Sequence, residues 1–146
     1  MNVLIILVSP IIGVLTELIY FHYLKEIITI SFFTNAKDLA TALLSYAIAM
    51  FGIVAMIITL VYGLSKPGVS NYRKKFGVQF ALLWIFCIIY LSLTGLLSIL
   101  GFAKIDIMYL SILIKIFLVL FISSFIQSII TIFIGIAILI NSNKVA

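Results

Sequence analysis

Charge is what this chain has least of. Nine Lys and Arg and four Asp and Glu make up only 9% of its 146 residues, against about a quarter in an ordinary soluble domain. Such a chain has too few polar groups to cover a water-facing globule, so a soluble enzyme is excluded at the outset. Other absences narrow the chemistry. The single cysteine, Cys87, cannot close an internal disulfide and reads as a small buried apolar residue. The single histidine, His22, stands beside Tyr23 with no second His, Cys or carboxylate cluster near it in sequence, so no metal centre is expected. There is no glycine-rich phosphate loop, nucleophile elbow or zinc-protease motif. Ser123, Ser124 and Ser128 have no imidazole in reach along the chain. The expectation is a protein that is not an enzyme and uses no cofactor.

What remains is hydrocarbon. Two thirds of the residues (66%) are hydrophobic, with 30 Ile and 22 Leu, and mean hydropathy is +1.44. They gather in four stretches, 3–24, 39–64, 76–101 and 107–140, each long enough as a helix, at ~1.5 Å per residue, to cross a ~30 Å hydrocarbon layer. The expected fold is all-α: one domain of four long hydrophobic helices in an antiparallel helical-hairpin bundle of membrane-protein type. The first stretch has no cation ahead of it and no small-residue cleavage site after it, so it reads as a retained helix. The fourth would extend ~50 Å, which predicts tilt, a break or a second role, with Ser123, Ser124, Gln127 and Ser128 near its middle marking a kink or a helix contact.

The charges are placed unevenly. If the N-terminus is cytoplasmic, Lys66, Arg73, Lys74, Lys75 and Lys144 share its side with no acidic partner. Lys25, Glu26, Lys37, Asp38, Lys104 and Asp106 cancel on the other. This is the positive-inside pattern and predicts both ends inside. Tyr20, Tyr23, Tyr62, Phe76 and Tyr109 would form an interfacial belt. The segment 65–75 reads as a hairpin tip, Pro67-Gly68 making a tight turn. It would present Lys66, Arg73, Lys74 and Lys75 to anionic lipid, or to the phosphates of double-stranded DNA without sequence preference.

Two further signals lie inside the stretches. Small residues recur at steps of three and four, among them Gly13, Ala49, Gly52, Gly95, Ser128 and Gly135. That spacing sets them on one face, where helices approach closely within a chain or between copies. Glu17 and Lys115 are the only ionisable groups well inside apolar stretches apart from aromatic hydroxyls and the thiol, at comparable depths in the first and fourth. An isolated charge there is costly, so a buried ion pair is expected, structural or ion-handling.

In size, isoleucine-rich composition, four very apolar helices and one basic hairpin tip, the chain resembles the highly hydrophobic major capsid proteins of spindle-shaped viruses that infect archaea of hot acidic springs. The resemblance covers the whole chain as composition and helix layout and carries no residue-level motif. It implies an α-helical subunit that enters the host membrane before assembly, then packs with copies of itself into helical strands of a virion shell around double-stranded DNA. The alternative reading is a small four-span membrane protein: a transporter, an immunity protein or an accessory subunit of a membrane complex.

Overall fold

The computed structural model describes residues 4–24, 36–64, 67–100, 102 and 107–142. It is a helical bundle with no strand among the described residues. Helix α1 spans Leu4–Ile19 and runs into a π-helical turn at Tyr20–Leu24; α2 is Ala36–Gly63, α3 Pro67–Leu100 and α4 Ile107–Ser142. Segments Lys37–Gly63, Lys74–Leu100 and Ile112–Ile140 are long and apolar enough to cross a membrane, whereas the first apolar segment, Leu7–Tyr23, is shorter. Of the four long helices expected, three are of spanning length and the first is shorter. Pro10, inside α1, lacks the N–H that would bond the Ile6 carbonyl, and from Tyr20 the helix widens to π geometry.

Proline explains a second difference. The expected turn at Pro67-Gly68 is instead the first turn of α3, which starts at Pro67 rather than at 76. A proline at the first helical position loses only an N–H that would be unsatisfied anyway, and its fixed φ suits the helix. No described glycine has positive φ, so Gly68 does not act as a turn residue. Helix α4 runs unbroken for 36 residues, ~54 Å at helical rise, and the anticipated break in its middle is absent.

Helix α4 is the hub, packed against α1, α2 and α3, while α2 and α3 also pack on one another. The apolar core is built from Val54, Ile57 and Val61 of α2, Phe80, Trp84, Cys87 and Leu91 of α3, and Ile138 of α4. Steps of three and four put each set on one helix face. Phe80 meets Trp84 edge-on, ring centroids 4.9 Å apart. Outside, large apolar side chains face the surroundings on every helix, including Ile11, Ile48, Ile85 and Phe133. The buried positions are disproportionately polar: Ser9, Thr94, Ser98, Ser123, Ser124, Gln127, Ser128 and Thr131 are each at most 1% exposed. A bundle with hydroxyls inside and isoleucine outside is suited to an apolar solvent. Tyr20 departs from the expected belt: it is buried and meets Phe21 edge-on. Tyr23 and Tyr62 are exposed.

Candidate functional site

The polar residues of α4 form one seam. Ser123, Ser124, Gln127, Ser128 and Thr131 repeat at steps of one and three along the buried face. Gln127 is the centre: its side-chain oxygen accepts from Ser9 Oγ at 2.8 Å, and its Nε2 donates to the Leu83 carbonyl at 3.4 Å. Its own carbonyl accepts from Thr131 Oγ1 at 2.6 Å. One side chain thus joins α1 and α3 to α4. Tyr46 on α2 shares a hydrogen bond with Ser124 (3.3 Å), and Cys87 on α3 lies 3.5 Å from Ser128 Oγ. Thr94 donates to the Tyr90 carbonyl at 2.8 Å and reaches the Leu120 carbonyl across the interface at 3.5 Å. Other hydroxyls, such as those of Thr16, Thr41 and Thr59, bond back to the carbonyl one turn earlier. Trp84 Nε1 and Ser123 Oγ are buried with no partner. Every group in the seam is a neutral hydroxyl, amide, thiol or indole. The seam favours one set of neighbours and one register, because sliding α4 by a residue would break its bonds to Ser9, Tyr46, Cys87 and the Leu83 carbonyl together in a dry interior.

The expected buried ion pair does not form. Lys115 is exposed and Glu17 is half-buried, and the Lys115 ammonium instead sits over the Phe21 ring, 4.8 Å from its centroid. Phe21 is one turn beyond Glu17 on the same helix face, so the two charges come to the same region of the α1–α4 contact without closing on each other. The physical reason is reach: a lysine near the outside of a bundle turns its ammonium outward along its apolar stem, and an aromatic face holds it there. His22 is exposed, its ring 6.1 Å from that of Tyr23. No cluster of three or more metal-ligating side chains occurs among the described residues.

The basic residues lie on a helix rather than on a loop tip. Arg73, Lys74 and Lys75 fall in the opening turns of α3, and Lys66 lies outside the described residues. Lys74 and Lys75 are exposed, and the Lys75 ammonium stands 5.5 Å from the Phe76 ring centroid. Being past the first turn, Arg73, Lys74 and Lys75 escape most of the repulsion from the positive end of the helix. Helix α3 therefore carries Arg73 just before the apolar segment Lys74–Leu100, and Lys74 and Lys75 as its first two residues.

The small residues divide into two groups. Gly13 is buried against α4, where a Cβ would collide with Ser123 Oγ and lie 2.8 Å from the Val119 carbonyl oxygen. Gly135 is buried against Ile57, where a Cβ would overlap the Ile57 γ-methyl and touch Trp84. Gly95 faces Ala47 at an ordinary 3.7 Å, and Ser128 is in the seam. Ala49 and Gly52 point outward, and nothing lies within 4 Å of a Cβ built on Gly52. Tyr46 and Trp84 carry no sequence signal of a site, whereas Ser9 stands in the small-residue row of the first stretch with Gly13 and Thr16. No family model, curated protein or solved structure matches the chain.

Proposed function

We propose that this chain is a structural protein whose work is lateral contact: it inserts in a membrane and associates with copies of itself. Its assembled form, on this reading, is the shell of a virion enclosing double-stranded DNA. The observation that carries the proposal is the outward face of α2, where Ala42, Ser45, Ala49 and Gly52 form a small-residue row with Gly52 untouched by its own chain. Rows of this kind let a second helix approach to backbone distance. Supporting it, the interior holds no charged group among the described residues, and the exposed Ile and Leu of every helix offer apolar area without fixed hydrogen bonds. The contact pairs Ser9–Gln127, Cys87–Ser128 and Tyr62–Phe80 favour an antiparallel up-down bundle with both ends on the basic side. The opening turns of α3 would then meet phosphates, of lipid before assembly and of DNA after it.

The second reading is a membrane protein of the cell, a subunit of a larger complex, favoured by the three helices of spanning length. The test is to purify the native assembly without detergent, treat it with nuclease and examine it by negative-stain electron microscopy. Regular tubes or spindles holding protected DNA are expected. Recovery only from membrane vesicles, as small discrete particles in detergent, would refute the shell and leave the second reading.

A further inference from the structure

Between α2 and α4, on the side away from the Trp84 core, the bundle does not close. Leu39, Leu43 and Tyr46 of α2 face Ile114, Phe117 and Phe121 of α4 across a half-enclosed cleft of about 380 Å³. It follows two turns of each helix, ~10 Å. From this cleft we infer a binding site for a lipid acyl chain. The inference rests on the membrane-embedded reading above.

The cleft is too apolar for water and too large to stay empty. Among the described lining residues the one polar side chain is Tyr46, whose hydroxyl is already engaged with Ser124 at 3.3 Å, whereas a buried water needs two to four polar partners. A far smaller apolar void, of about 150 Å³, already takes up benzene. An unfilled cleft of this size would leave its lining side chains without dispersion contacts on one side. Its shape selects the occupant. Both walls come from helices with spanning segments, and Ala42 on the lining is exposed at the mouth. The cleft therefore opens sideways, toward whatever surrounds the helices at that depth, and in a bilayer that is hydrocarbon tail. The rings of Tyr46 and Phe121, both on the lining, meet edge-on at 5.0 Å and offer aromatic surface against which methylenes pack. A flexible, unbranched apolar chain entering from the side meets each of these conditions; a polar or bulky rigid ligand does not.

The test uses the full chain in phosphatidylcholine vesicles containing phosphatidylcholine spin-labelled on the acyl chain. Flotation first establishes that the protein is in the vesicles, and electron spin resonance then counts motionally restricted chains per protein. Leu118→Phe, outside the small-residue row of α2, fills the cleft and is expected to lose about one restricted chain, while Ile85→Phe, on an exposed face of α3, keeps the wild-type number. Ala42→Phe, from the opposite wall, repeats the test should Leu118→Phe fail to fold. Equal counts in wild type and folded cleft-filling variants, with the protein floating, would overturn the acyl site alone. Protein that does not float would overturn the membrane reading and the site together.

Discussion

Replacing Gly13 by alanine is the sharpest probe of how α1 is held. Two atoms stand where the new methyl would go: Ser123 Oγ, which can rotate away, and the Val119 carbonyl oxygen at 2.8 Å, which belongs to the backbone of α4 and cannot. Helix α1 must back off. Overpacking of this kind costs about 1–3 kcal/mol. The gain from replacing glycine in a helix recovers at most ~1 kcal/mol, so a net loss of up to about 2 kcal/mol is expected, up to some thirtyfold in the folding equilibrium. Part of the loss comes from stretching the 2.8 Å bond between Ser9 and Gln127, one helical turn from the collision. Gly52→Ala is the matched control, since its methyl meets nothing within 4 Å, and it should be neutral or stabilising by up to ~1 kcal/mol. Trp84 is the sole tryptophan and is buried, so its fluorescence during reversible unfolding of the micelle-solubilised monomer by dodecyl sulfate reports both variants. Adding Ser123→Ala to Gly13→Ala should restore only part of the stability, because the Val119 carbonyl remains. Equal stability of Gly13→Ala and Gly52→Ala would refute the claim that α1 and α4 touch at backbone distance there.

The remaining predictions follow from the other contacts. Gly135→Ala should destabilise by about 1–3 kcal/mol through the Ile57 γ-methyl; Ile57→Leu, which lacks that methyl, should suppress the defect in the double variant, and simple additivity in the same unfolding assay would exclude the proposed collision. Glu17→Gln and Lys115→Met should add to within ~0.5 kcal/mol, as expected of groups that are not paired, each costing at most about 1 kcal/mol; a coupling well above that would restore the ion pair. If α3 meets DNA, replacing Arg73, Lys74 and Lys75 by glutamine together should flatten the dependence of log binding constant on log salt by up to ~2.7, from about 0.9 per phosphate contact. An unchanged slope in a filter-binding titration would remove DNA from the role of that helix start.

The helical class was legible because hydropathy in this chain is nearly binary. Segments of 27–29 residues with mean hydropathy of 2.3–2.4 leave no alternative to hydrogen bonds made within the helix. The rows at Gly13, Gly135 and Ser128 also announced close helix contacts. The start of α3 was misjudged because Pro67-Gly68 is equally at home in a turn and in a first helical turn; the fit of the following residues to a continuous helix decided it. Whether Glu17 and Lys115 meet was not legible for a different reason. Equal depth along two helices brings groups to one level, but the rotation of each helix about its axis decides whether they face each other, and hydropathy alone left that angle open for α1.

Sequence by itself therefore determined the solvent this protein is built for, the number of its apolar stretches and the presence of small residues at their contacts, since each depends on composition and local period. Only the tertiary structure decided that α4 is the hub, that Gln127 ties Ser9 and Leu83 to it, and that Gly13 faces inward while Gly52 faces outward. Those outcomes depend on which helix faces meet, and helices apolar on nearly all sides carry almost no one-dimensional signal of facing. The few polar atoms settle it, because in a dry interior each needs a partner on another helix or on its own backbone, and few arrangements supply them together.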